Sequence, residues 1–431
     1  MDFLRFNYLT LFALRACAFV RHQKTTEVIF FLKDNGNQLN VDSLENTNSN
    51  IDKKEVYKRP DIKSKKSPRK KLLWTIVLVA IIVVTVWSIV SDEDFSFDVF
   101  KEAILSANPW WLLAAVCSMI MYILFEAFSI KVMIKAFKYK QPLGNCVAYS
   151  ASDIYFSAIT PSATGGQPAS AYLMMKDGLP GSFTAVALLI YVVTYNFGII
   201  AMALVTFLID PSIVLGFSTI SQILIIVGAF CLTCLAIFVL IALYKGNILK
   251  RICYFFVNIL AKLRIVKRPE KLKSRIAGSI ASYNDCVTHL KGKRNMVIKV
   301  FLLSVAQRAS TILVTVFVCL AIGGGSVSPF NAWYAQCMVI LGTNMLPIPG
   351  GSGFFEMLLK DAFASYGLTS SMSASLSLIS RGISFYLCII LCGGAMVIKA
   401  IVTKVKKKRE EAESRRAHQE AVLENVQENN N

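Results

Sequence analysis

Six stretches of the chain run for about 20 residues or more with almost no charge, and each is long enough to cross about 30 Å of hydrocarbon as a helix. They cover residues 72–90, 109–130, 182–208, 220–244, 296–323 and 373–401. A soluble core has no use for so many. In lipid every backbone polar group must be satisfied, which leaves helices or a closed barrel, and these stretches have the length of helices. The expected fold class is an all-α polytopic membrane protein. Of the 431 residues, 55% are hydrophobic and 17% charged.

The formal charge of +19 raises the question of nucleic acid, and its distribution answers it. The Lys and Arg residues cluster just outside the apolar stretches, as cytoplasmic loops do, so no nucleic-acid partner is expected. Residues 51–71 carry ten Lys/Arg against three acidic residues, which puts that side in the cytoplasm. The loop SDEDFSFDVFKEAILSAN has five acidic residues and one lysine and belongs outside. Lys131, Lys135, Lys138 and Lys140, the thirteen Lys/Arg of 245–295 and the KVKKKR run at 404–409 all mark the inside. Both termini are expected in the cytoplasm.

Residues 34–71 are Asn-rich and then Lys-rich, and 1–71 reads as a largely disordered cytoplasmic region. Residues 1–20 faintly resemble a signal peptide, but the basic run before residue 72 marks the first anchor, and whether 1–50 stay in the mature protein is open. Eleven cysteines lie mostly within the spans, where Cys acts as a small hydrophobe. Cys231 and Cys234 have metal-like spacing without a second pair, and three histidines are scattered, so neither a metal site nor a cofactor is expected.

These orientations leave two segments that start and finish on one side. Residues 141–181 begin and end inside; residues 324–372 begin and end outside. Each has a helix, a Pro/Gly break and a half helix ending in Lys-Asp: ITPSATGGQPASAYLMMKDGLP in the first, LPIPGGSGFFEMLLKDAF in the second. The half helices are too short to span, so each segment is expected to be a re-entrant hairpin, buried in protein or lining a cavity. The fold thus becomes six full spans plus two re-entrant helical hairpins. It divides into inverted units 72–208 and 220–401 within a membrane domain of 72–402, with a basic cytoplasmic linker at 245–295 and a charged cytoplasmic tail at 403–431. Paired broken segments in inverted repeats point to a binding site near the bilayer midplane.

A Gly-Gly turn followed by a helix N-terminus offers free N–H groups and a partial positive charge to an anion such as phosphate. The candidates at the breaks are Pro161, Gly165, Gly166, Gln167 and Ser170, and Pro347, Pro349, Gly350, Gly351, Ser352 and Glu356. Close helix packing is the competing use of such glycines. Ionisable residues inside spans are costly and usually face an interior. Arg308, beside Gln307, is the natural partner of a lipid phosphate because its fork donates two hydrogen bonds. Glu126 and Arg381 are expected to snorkel, to pair with each other, or to line the site. Glu356 is expected to pair with an arginine or to favour its helix start, and Asp153 has no assigned role. ILKRICYFFVNILAKLRIVKR in the linker reads as an amphipathic helix on anionic headgroups.

At the two break sequences, and in the spacing of spans across about 72–402, the chain resembles the membrane domain of the bacterial lysylphosphatidylglycerol synthase/flippase family. That resemblance implies a bacterial plasma-membrane protein that moves a phospholipid or lipid-linked headgroup, lysyl-phosphatidylglycerol above all, and contributes to resistance to cationic antimicrobial peptides. Its expected partners are membrane phospholipids, anionic or aminoacylated. Family members with the full architecture also carry a cytosolic domain that transfers an aminoacyl group from tRNA to phosphatidylglycerol. About thirty residues follow the last span, where such a domain needs on the order of 100, so the membrane half alone is expected. Two rivals remain: a phosphatidylglycerol lysyltransferase, or a subunit working with a separate aminoacyl-transfer partner, and a secondary transporter of a small anion. Polar residues gathered at the hairpins, rather than along a wide pore, favour a lipid. No Walker motif occurs, so active transport would draw on an ion gradient or a partner.

The orientation is testable by cysteine-accessibility labelling. Positions 176–179 should label from the cytoplasmic side and 366–370 from outside. Labelling of both from one face, or with the faces exchanged, would end the inverted-hairpin arrangement.

Overall fold

A computed structural model of the chain describes residues 96–428, apart from 161–162, 246–247, 249, 252–253, 256, 259–268, 291, 324–326, 345, 347–350 and 352. The expected span at 72–90 and the region 1–71 lie outside the described residues, as do Pro161, Pro347, Pro349, Gly350 and Ser352. Every regular element among the described residues is helical. In chain order these are α1 (Phe97–Ser106), α2 (Pro109–Ala136), α3 (Leu143–Ile159), α4 (Gly166–Lys176), α5 (Gly181–Ile209) and α6 (Thr219–Tyr244). There follow α7 (Pro269–Leu290), α8 (Arg294–Ile322), α9 (Pro329–Thr343), α10 (Phe354–Ser365), α11 (Ser370–Arg381), a π-helical turn (Gly382–Leu387) and α12 (Cys388–Glu428).

Five helical stretches are long and apolar enough to cross a membrane: Pro109–Ala136, Gly181–Ile209, Thr219–Leu243, Arg294–Ile322 and the continuous Ser370–Lys406. They correspond to the five expected spans that lie within the described residues. The last is not one regular helix. A π turn, which often marks a functional position in a helix, separates α11 from α12, and it begins directly after Arg381. Also, α2 continues to Ala136 rather than ending near 130. Lys131 and Lys135 can remain helical there because their long stems run along apolar surface while the ammonium groups reach the interface.

The centre is an antiparallel pair, α2 and α8, pinned at both ends. The Asn108 N–H donates to Ala321 O at 2.7 Å where α2 begins and α8 ends. At the other end Lys293 Nζ donates to Ala136 O at 2.6 Å and lies 3.9 Å from the centre of the Phe137 ring. The start of α2 is set locally: the Asn108 side chain accepts from Trp110 N at 3.0 Å, and Pro109 occupies the first turn, where no intrahelical N–H bond is lost.

Two helix pairs pack on this centre, α3 with α4 and α9 with α10. The second members have 11 and 12 residues, about 16 and 18 Å of helix, well short of a bilayer's apolar thickness. Their Lys-Asp ends are each held by another element. Asp177 Oδ2 accepts from Tyr149 OH at 2.7 Å and from Lys399 Nζ of α12 at 2.9 Å. Lys399 also donates to Asn145 Oδ1 at 2.6 Å. Asp361 Oδ2 accepts from the backbone N–H of Ser218, directly before α6, at 2.8 Å.

Residues 240–292 fall in a separate compact unit. Part of the stretch read as an interfacial amphipathic helix is described there, and those residues, Tyr254 and Val257 among them, are helical. The rest of the linker is not a plain loop. In α7, Ile276, Ile280, Tyr283, Val287 and Leu290 are buried at alternating spacings of four and three, the signature of one apolar helix face. Val257 and Tyr254 pack against that face, and Tyr283 OH donates to Leu243 O at 3.1 Å.

The first break shows what Gly166 is for. A Cβ there would lie 2.1 Å from Asp153 Oδ1 and 2.4 Å from the Asp153 carbonyl oxygen, so α4 starts hard against α3 with no room for a side chain. Gly166→Ala is therefore expected to lower the yield of monodisperse protein after detergent extraction severalfold. Gly144→Ala, where a Cβ meets nothing within 4 Å, should leave it unchanged. Equal yields would mean that α3 and α4 are not packed this closely.

Candidate functional site

On α8 the polar residues Ser304, Gln307, Arg308, Thr311 and Thr315 recur at a helical period, one stripe in an otherwise apolar span. The stripe faces inward: Ser304, Gln307, Arg308 and Thr315 are all buried. Helices α2, α5, α9 and α11 supply its partners. Tyr191 OH of α5 donates to Gln307 Oε1 at 2.9 Å, and Gln307 Nε2 donates to Glu126 Oε2 of α2 at 3.0 Å. Ser304 Oγ donates to Thr194 Oγ1 at 3.2 Å. Thr315 Oγ1 donates to Gln336 Oε1 of α9 at 2.9 Å and lies 2.6 Å from Ser380 Oγ of α11.

Arg308 departs from this pattern. It is 5% exposed, and its guanidinium stacks on the Tyr195 ring with Cζ 3.4 Å from the centroid. Among the described residues its Nε and Nη2 have no hydrogen-bond acceptor. Glu126, Tyr122 and Tyr191 lie close enough to act on it electrostatically. Arg308 also lines a small void together with Ile199, Ala203, Ile312 and Ile340. An aromatic face accounts for part of a buried guanidinium's stabilisation, but not for donors left without acceptors.

At the first break, Asp153 Oδ2 accepts from Gln167 Nε2 at 2.7 Å and Oδ1 from Ser157 Oγ at 3.3 Å. Glu126 Oε1 has no donor, and the carboxyl that approaches Glu126 is that of Asp153. The Gly165 N–H donates to Thr160 Oγ1 at 2.9 Å. Ser170 is fully buried. At the second break Gly351 has φ +66° and Gly353 φ +86°, backbone that glycine adopts without penalty. Glu356 Oε2 accepts from the Gly353 N–H at 2.6 Å, and Oε1 pairs with Arg381 Nε at 3.1 Å. Arg381 lies between the rings of Phe355 and Phe385, 4.5 and 4.2 Å from their centres.

Two expectations are thereby revised. Glu126 and Arg381 do not pair with each other: Glu126, on α2, meets Gln307 of the adjoining α8, whereas Arg381 ends α11, which packs on α10 and brings it to Glu356. The two helix N-termini at the breaks are also not simply open to an outside anion, because Asp153 lies against the start of α4 and Glu356 reaches back to the start of α10. The structure gathers Glu126, Gln167 and Arg308, with Asp153, around the first break, and Glu356 with Arg381 around the second. Gly165, Gly166 and Gly351 shape the breaks. Tyr191, Tyr195, Thr315, Gln336 and Ser380 were not singled out from the sequence. The signal for the two tyrosines was their i, i+4 spacing within the apolar run LLIYVVTYNFG.

This chain is 24% identical over 257 residues to the UPF0104 membrane protein PH1989 of Pyrococcus horikoshii, an alignment covering 57% of this chain and 74% of that protein. The family described as the lysylphosphatidylglycerol synthase TM region matches residues 74–392, which include the whole α8 stripe and both breaks, and this multi-pass membrane protein belongs to that family.

Proposed function

We propose that the protein binds a phospholipid or lipid-linked headgroup through its phosphate at Arg308 and carries it between the leaflets, in the manner of a lysyl-phosphatidylglycerol flippase. The observation that carries this reading is Arg308 itself, an arginine on a membrane span, 5% exposed, with two guanidinium donors unmet. Buried donors left without acceptors are costly, and a phosphate diester is the shape and charge that a guanidinium fork satisfies. The apolar lining around Arg308 suits the glycerol and acyl portion of a lipid better than a hydrated small anion.

The route rests on the same helix. From Ser304 to Thr315 the buried polar side chains of α8 run for about 16 Å, from the Glu126–Asp153 side to the side where Ser380 and then Arg381 and Glu356 stand. In this reading α3–α4 and α9–α10 are re-entrant hairpins of two inverted units. The corresponding helices α2 and α8 form the central pair, and the Lys-Asp end of the first hairpin is tied to Lys399 of the other unit's last span. Transporters built on inverted repeats place their sites between such broken segments. The aminoacyl-transfer reaction of the family's name is the rival reading, and nothing in the Arg308 site favours it.

The test is leaflet exchange of a fluorescent phosphatidylglycerol in proteoliposomes, normalised to folded protein. Arg308→Ala should slow exchange roughly 10- to 100-fold, the worth of a charge-assisted hydrogen-bonded pair. Arg308→Lys, which keeps the charge and loses the fork, should fall between. Exchange at the wild-type rate by well-folded Arg308→Ala would sink the proposal.

A further inference from the structure

The Glu126–Asp153 approach has a second consequence. The two carboxyls come from different helices, held in register by Ser150 Oγ donating to Ile123 O at 2.9 Å, one turn from each. Both are buried, 1% and 6% exposed. Gln307 Nε2 serves Glu126 Oε2, while Gln167 Nε2 and Ser157 Oγ serve the two oxygens of Asp153. Among the described residues Glu126 Oε1 has no hydrogen-bond partner, and Glu126 and Asp153 lie close enough to act on each other electrostatically. Two buried carboxyls facing one another are costly to ionise together, and one proton on the pair relieves that cost. The other titratable or charged groups facing the pair are Tyr122 of α2, Tyr191 of α5 and Arg308 of α8, with Cys388 of α12 beyond Tyr122. From α4 the neighbour is Gln167, which carries no charge.

The charges of this cluster balance in only one way at a time. With one proton on the pair, the carboxyls carry one negative charge and Arg308 one positive, and the buried group is neutral. A phosphate diester bound at Arg308 adds a negative charge where solvent is excluded, and a second proton on the pair restores neutrality. We infer that Glu126 and Asp153 form a proton-binding site coupled to the Arg308 anion site, taking one proton from solvent when a phosphate-bearing anion binds and returning it when the anion leaves. The inference rests on Arg308 being an anion site. The proton adds to a carboxylate oxygen, and no other bond forms or breaks. Movement of a singly charged lipid would then be electroneutral, and a proton gradient would drive it.

Linkage makes the coupling reciprocal, so protons must tighten anion binding as the anion draws in protons. The sign follows: the complex holds more protons than the free protein, so affinity falls as pH rises. The experiment is calorimetric titration of the detergent-solubilised full chain with dihexanoylphosphatidylglycerol, in Tris and in HEPES at one pH, and then across pH. The buffer dependence of the heat should report uptake of about one proton per bound anion, and Kd should rise about tenfold per pH unit where uptake is complete. Glycerophosphoglycerol, the same diester without acyl chains, separates the sources: equal binding and equal uptake would make the coupled anion a soluble one. Glu126→Gln combined with Asp153→Asn should remove both the buffer dependence and the pH slope. Proton uptake persisting in that variant overturns the assignment. If the double variant does not fold, Glu126→Gln and Asp153→Asn are read singly, each expected to move the pH range over which uptake occurs; an unchanged range in both overturns the assignment. Wild-type binding without buffer dependence or pH slope overturns the coupling while leaving the Arg308 site standing. No binding by wild type, or undiminished binding by Arg308→Ala, overturns both.

Discussion

Gln307 holds together groups that hydrocarbon would otherwise expel. Its amide takes a phenol from α5 on one side and gives an N–H to a carboxylate from α2 on the other, so three spans meet at one uncharged side chain. In a low-dielectric interior such bonds are strong when complete and costly when broken, and each fixes a helix rotation as well as a contact. With Gln307 placed, Arg308 points one residue further round α8, where its guanidinium stacks on Tyr195 rather than hydrogen-bonding the carboxylate that Gln307 engages. The absence of a simple Arg–Glu pair at the centre is therefore a consequence of geometry. It leaves a guanidinium that is stacked but not neutralised by hydrogen bonds.

The two breaks solve one problem with different residues. A helix that starts inside a membrane protein exposes N–H groups that nothing in hydrocarbon can satisfy. At the second break the remedy is local, since Glu356 lies in the first turn of α10 and folds back on Gly353. At the first break it comes from the end of the preceding helix, where Thr160 Oγ1 accepts from the Gly165 N–H, while Asp153 of α3 lies so close to Gly166 that a side chain there has no space. The second carboxylate also carries an ion pair to Arg381, at the residue where α11 gives way to a π turn. Acid and base are thus matched within the second site. In the first, two acids face each other with an arginine nearby.

The outer parts follow a different rule. Asp177 follows the C-terminal end of α4 and Asp361 lies near that of α10, and each is held by a partner from another element, Lys399 with Tyr149 in one case and a backbone N–H in the other. Bonds of this kind are partly exposed and contribute little each. Their role is positional, setting where each short helix ends relative to the long ones. The α7 face in the linker, by contrast, is held by apolar burial, with Tyr283 adding a single hydrogen bond to the end of the preceding span.

What the sequence determined by itself was whatever depends on composition along the chain. Apolar runs of the right length mark spans because the bilayer has one thickness, and Pro/Gly breaks with a short remainder mark α4 and α10 as too short to cross. Arg308 and Glu356 were legible for the same reason, since charge within a span is rare and costly. The pairing of those charges was not legible. Glu126 and Arg381 are both lone charges in apolar runs, and nothing along the chain says that one faces Gln307 and the other Glu356. That depends on which helix lies beside which and on its rotation, quantities set by packing among α2, α5, α8 and α11. Gly166 likewise looks the same in sequence whether it frees an N–H or admits a neighbouring helix. Only the position of Asp153 against it, two ångströms from where a side chain would begin, decides that it is the approach of α3 that requires the glycine.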